Sequence, residues 1–107
     1  MATMFNAYHN CWELAGSDWT CEYNPHTQSW CFAPPGARLE YNAHHNRYEF
    51  AGRGWICEYN PHTGEWRYAP PGARAEYNPH HGTWEMAGPD WECQFNPFTG
   101  RWGYAPK

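Results

Sequence analysis

Aliphatic residues are nearly missing from this chain of 107 residues: Val is absent, Ile56 is the only isoleucine, and Leu14 and Leu39 are the only leucines. A core of the usual branched side chains is therefore excluded. Lysine is confined to Lys107, and the formal net charge is −4, so the basic face that nucleic acid requires is absent. No apolar run approaches membrane-spanning length, which excludes insertion by a helix. The opening Met-Ala-Thr-Met-Phe-Asn carries no signal-peptide hydrophobic region. That favours a cytoplasmic or non-classically secreted protein, and five cysteines, an odd number, lean toward a reducing compartment. No stretch of ten residues keeps a helical period without meeting Pro or Gly, so helices are excluded. Aromatic residues are plentiful instead: 8 Trp, 8 Tyr and 5 Phe make up 20% of the chain. Any core is expected to be built from these rings.

Alignment on Tyr-Asn and Phe-Asn superposes the chain on itself without a gap every 18 residues, from Phe5 onward. A large apolar residue returns every nine: Phe5, Leu14, Tyr23, Phe32, Tyr41, Phe50 and so on to Tyr104. Nine is the unit, with about five residues of strand and four of turn. A longer period of 36 lies above it, because Ala15-Gly16, Ala51-Gly52 and Ala87-Gly88 alternate with Ala33-Pro34-Pro35-Gly36 and Ala69-Pro70-Pro71-Gly72. The chain reads as one repeat domain, 1–107, with modules 5–40, 41–76 and 77–107.

The expected fold is all-β: about twelve short antiparallel strands in three groups of four, a pseudo-threefold β-prism. A small trefoil or barrel, an open meander sheet, and a propeller completed by a dimer are the alternatives, so a homo-oligomer stays possible. Alternation puts the rings on one face of each strand. The other face takes Glu13, Glu22, Glu40, Glu49, Glu58, Glu76 and Glu85 with several Arg, read as a solvated outer face.

The pattern Tyr-Asn-Pro-x-Thr-Gly-x-Trp at Tyr59–Trp66, echoed at Tyr23–Trp30 and Phe95–Trp102, resembles the aromatic repeats of octamer-repeat (OCRE) domains. That likeness implies binding of proline-rich peptides on aromatic strands. Length and threefold modules are similar to the monocot mannose-binding lectins, which are β-prisms of three four-stranded sheets. Their sugar motif, Gln-x-Asp-x-Asn-x-Val-x-Tyr, is not present, so no site residue is carried over.

Three tryptophans, Trp19, Trp55 and Trp91, recur every 36 residues after a Gly-containing turn. A Trp at a loop tip can stack on the apolar face of a sugar while Asp18 or Asp90 accepts from its hydroxyls. Alternatively, the three are inward core residues. The Asn-containing turns add Asn24, Asn60, His26, His62, His44 and His80 as candidate glycan contacts, with a polar turn position copied by duplication as the alternative. These observations favour a multivalent carbohydrate-binding protein with two to three shallow sites. An interaction module for proline-rich peptides and a self-assembling structural repeat are the other readings. Cys21, Cys57 and Cys93 share one repeat position and could meet on a threefold axis. Cys11 and Cys31 break the pattern and could form a disulfide. No cofactor, no metal and no catalytic arrangement is indicated: every Glu sits in a repeat position, and Ser is confined to Ser17 and Ser29.

Overall fold

In each nonamer, four residues of turn chemistry separate five residues of alternating pattern, and the strands fall where that alternation puts them. A computed structural model describes residues 2–107. Its strands are β1 (Ala2–Asn6), β2 (Cys11–Ala15), β3 (Thr20–Asn24), β4 (Ser29–Ala33), β5 (Arg38–Asn42), β6 (Arg47–Ala51), β7 (Ile56–Asn60), β8 (Glu65–Ala69), β9 (Arg74–Asn78), β10 (Thr83–Ala87), β11 (Trp91–Asn96) and β12 (Arg101–Pro106). The protein is all-β, as expected from the repeat.

The grouping differs from the expected prism. There are six two-stranded sheets, each an antiparallel hairpin of consecutive strands, rather than three sheets of four. Two turn types explain this. Within a hairpin, the Asn ending the first strand accepts through Oδ1 from the N–H two residues on, at 3.1 Å for Tyr8 and 3.0 Å for His26. This Asx turn reverses the chain tightly. Its last residue adopts positive φ in all six copies, as Asn10, Gln28, Asn46, Gly64, Gly82 and Gly100. Between hairpins, a β-turn such as Gly52 to Trp55 (N–H to carbonyl, 3.1 Å) turns the chain out of the sheet plane. The next strand pairs with its own partner instead of extending the previous sheet.

The hairpins stand side by side as blades of a closed ring. Five joints repeat one bond: Asn6, Asn24, Asn42, Asn60 and Asn78 donate through Nδ2 to the carbonyls of Trp30, Tyr48, Trp66, Trp84 and Trp102, each 24 residues ahead. The sixth closes the circle, from Asn96 Nδ2 back to the Trp12 carbonyl at 2.9 Å. One chain therefore closes the ring with no partner, giving a disc of 33 × 32 × 20 Å.

The core is not made of rings. Among the described residues the buried side chains are the six Asn just named, at most 5% exposed, and Ala15, Ala33, Ala51, Ala69, Ala87 and Ala105, at most 3%, with Gly16, Gly52 and Gly88 buried beside them. Both sets lie on the face that alternation assigned to solvent, because that face of one blade packs against the ring face of the next. The inner ends of the second strands converge, and only a methyl fits there. The Glu row accordingly splits. Glu49 accepts from Asn42 Nδ2 at 2.8 Å, and Glu13 and Glu85 do the same for Asn6 and Asn78, while Glu22 stays exposed.

Candidate binding clefts

Each joint carries a pair of stacked rings built from sequence-adjacent duties. The residue two after the Asn lies flat on the aromatic residue of the next blade: Tyr8 on Trp30, His26 on Tyr48, His44 on Trp66, His62 on Trp84, His80 on Trp102 and Phe98 on Trp12, with centroids 3.8–4.0 Å apart. A second ring from the neighbouring strand leans on the same aromatic, as Tyr23 does on Trp30 at 5.1 Å. These outer rings, Phe5, Tyr23, Tyr41, Tyr59, Tyr77 and Phe95, are 42–47% exposed and form a belt around the disc.

The six joints are of two kinds. At alternate joints the residue after the stacked ring is a histidine, and its Nε2 accepts from the backbone N–H of the next blade: His9 from Trp30 at 2.9 Å, His45 from Trp66 at 3.0 Å, His81 from Trp102 at 2.9 Å. In each, the Nε2 lone pair faces that N–H and serves as its acceptor. At the other joints the same position is Thr27, Thr63 or Thr99, whose side chain is too short for this duty.

Clefts open at two of the three joints where threonine stands. One of about 620 Å³ is lined by Thr27, Ser29, Arg47, Tyr48, Glu49 and Arg67 among others, and reaches the three indoles Trp19, Trp55 and Trp91. A second, of about 630 Å³, is its copy 36 residues on, with Thr63, Trp84 and Glu85 at the places of Thr27, Tyr48 and Glu49. Its mouth also carries Glu65, Thr83 and Arg101. Polar mouths therefore lead to aromatic walls. Arg47 is tied to Glu49 at 2.9 Å through Nε. Tyr68 and Tyr104 hold the blades beside the two clefts by donating to the carbonyls of Tyr41 and Tyr77 at 2.8 Å.

The sequence candidates separate on this geometry. Trp19, Trp55 and Trp91 are not three loop-tip sites. They meet in one triangle, centroids 6.0–6.2 Å apart, because their repeat spacing equals one third of the ring. Asn24 and Asn60 line the clefts but have both amide atoms engaged inside the joints, Oδ1 with the turn N–H and Nδ2 with the next carbonyl. Among the expected contacts, His26 and His62 stack on the cleft rings Tyr48 and Trp84, whereas His44 and His80 stack at the histidine-filled joints. Asp18 and Asp90 are exposed on inter-blade turns, outside both clefts. Tyr48, Trp84, Thr27 and Thr63 were not singled out by sequence, and Arg47 and Glu49 were read only as part of a solvated outer face, although the alternation of His9, Thr27, His45, Thr63, His81 and Thr99 is a readable signal.

All five cysteines are free, and among the described residues no group of three His, Cys, Asp or Glu is placed to hold a metal. Burial pushes every thiol up from its ordinary value, and nearby carboxylates add to the push, Glu13 at Cys11 and Glu49 at Cys57. Burial likewise raises the Tyr68 hydroxyl, with Cys57 and Glu40 contributing. These groups favour the folded state in their protonated form. Their stabilising share is complete at neutral pH. It is lost as pH rises past about 8.5, where unfolded thiols ionise before folded ones do. Urea midpoints measured at pH 7 and pH 10 are expected to fall at the higher pH, and a Cys57→Ala, Cys93→Ala variant is expected to lose less.

No protein-family model, no curated protein and no solved structure matches this chain.

Proposed function

We propose that this protein is a multivalent carbohydrate-binding protein whose glycan sites are the clefts between alternate blades. The observation that carries this reading is the pair of clefts of similar volume 36 residues apart, each lined by an aromatic residue and a carboxylate at equivalent places, Tyr48 with Glu49 and Trp84 with Glu85, and by arginines from non-equivalent places. An aromatic wall suits the apolar face of a sugar ring. Carboxylate and guanidinium groups suit its hydroxyls, which need both acceptors and donors. Repetition around a disc favours avidity, which raises weak single-site affinity by roughly 10²–10⁴ when two sites engage together.

A broad glycan array with the purified chain tests this. Clear signal on one glycan class is expected, and a Tyr48→Ala, Trp84→Ala variant should lose it. A blank array, or hits indifferent to both substitutions, would reject the cleft reading. The exposed belt of Tyr23, Tyr41, Tyr59 and Tyr77 supports a second reading, docking of proline-rich peptides on rings. Quenching of Trp fluorescence by a proline-rich peptide, together with a blank array, would favour it.

A further inference from the structure

All six joints share the same stacked ring and the same Asn-to-carbonyl bond, and they differ in whether an imidazole is present. At Trp30, Trp66 and Trp102 the backbone N–H that leaves the hairpin is capped by His9, His45 or His81. Tyr48, Trp84 and Trp12 occupy the same register in their hairpins, opposite Tyr41, Tyr77 and Phe5, as Trp30 does opposite Tyr23. Their N–H groups therefore leave the hairpin in the same direction. Among the described residues no side chain accepts from them, because Thr27, Thr63 and Thr99 stand where the histidines stand elsewhere. At two of these joints the space beside the N–H is open, since Thr27 with Tyr48 and Thr63 with Trp84 line the two large clefts. An outward-facing N–H at a partly buried joint is a donor in need of an acceptor.

We propose that the N–H groups of Tyr48, Trp84 and, by the repeat, Trp12 are ligand-binding donors, each receiving from a bound sugar the acceptor atom that a histidine Nε2 supplies at the alternate joints. This rests on the carbohydrate reading and sharpens it. The sugar enters edge-on, a hydroxyl or ring oxygen on the N–H, in the volume that an imidazole fills next door. Ser29 and Arg47 at one cleft, and Thr83 and Glu85 at the other, are within the same lining to meet its remaining hydroxyls. Three equivalent sites on one chain follow from three uncapped joints.

The test is amide chemical-shift mapping on the native chain with two probes: neutral 4-methylimidazole, which mimics the missing side chain, and the best glycan from the array. Both should shift the amides of Tyr48, Trp84 and Trp12 and leave those of Trp30, Trp66 and Trp102 in place. A Thr27→His, Thr63→His, Thr99→His variant supplies the missing imidazoles and should weaken glycan binding by roughly ten-fold or more. His45→Thr uncaps Trp66 and should add one site. If methylimidazole shifts the three amides but no glycan binds, the vacant donor sites stand and the carbohydrate reading falls. If glycans bind without moving those amides and ignore the threonine replacements, the donor assignment is overturned while the carbohydrate reading survives. Failure of both probes overturns both, and needs no variant to fold.

Discussion

Replacing Asn42 by alanine is expected to cost the fold about 3–5 kcal/mol, a large part of the stability of a domain this size. Asn42 is fully buried and makes three bonds: Nδ2 donates to Glu49 at 2.8 Å and to the Trp66 carbonyl at 2.9 Å, and Oδ1 accepts from the His44 N–H at 3.1 Å. Alanine removes all three and leaves a carbonyl and an N–H unpaired where water has little access. Each orphaned group costs about 1–3 kcal/mol. Asn42→Asp separates the turn from the joint. The aspartate keeps the Oδ1 acceptor, and so the Asx turn, but sets a carboxylate oxygen against the Glu49 carboxylate and the Trp66 carbonyl, two acceptors. At neutral pH it should be at least as destabilising as alanine. Acidification should restore part of the loss, because a protonated carboxyl donates one of the missing bonds. Urea unfolding of the three proteins at pH 7 and pH 5 measures this. An Asn42→Ala loss below about 1 kcal/mol would mean that the joints are held by their rings alone.

The nonamer, the strand bounds and both turn types were legible, because alternation, Pro, Gly and Asn act over a few residues. The 36-residue alternation of His and Thr stands in the sequence but was not read as a pattern. Its meaning could not be read there: the donor to each histidine lies 21 residues ahead, on a backbone N–H that carries no residue signature. Asn at the end of each first strand was fully accounted for as a turn former, so nothing pointed to its second role across the joint. Strand alternation separates two faces but does not say which of them a neighbour covers. Rings were therefore assigned to the interior, whereas the fully covered positions go to Ala at the inner strand ends and to the flat amide of Asn in the joints, and only three indoles reach the axis. Three groups of four was the natural reading of a 36-residue period. The ring instead has an 18-residue blade, and the longer period decides which joints are capped and which turns send an indole to the axis.

The triad at the axis is where the longer period has its largest structural consequence, and Trp55→Ala is expected to cost about 3–5 kcal/mol. Trp55 lies 6.2 Å from Trp19 and 6.1 Å from Trp91, so its loss opens two of the three ring contacts at once. Its indole also sits against Gly52, where an added Cβ would stand 2.7 Å from Nε1 and 2.9 Å from Pro34 Cγ. That close approach explains glycine at a position where φ is ordinary, and Gly52→Ala should cost about 1–3 kcal/mol by overpacking. The two variants separate core from ligand roles. Trp55 lines the first cleft as well as the axis, so under the proposed glycan reading Trp55→Ala should weaken binding whichever role dominates. Gly52→Ala keeps the indole and displaces it. If the triad is principally a plug that sets the ring, both variants lower the urea midpoint and dim the near-ultraviolet circular dichroism of packed indoles. The second cleft, which Trp55 does not line, should then lose affinity too, because its walls depend on the same ring geometry. If glycan binding at the second cleft is untouched while the first is lost, the indole contacts the sugar directly and the ring tolerates its absence.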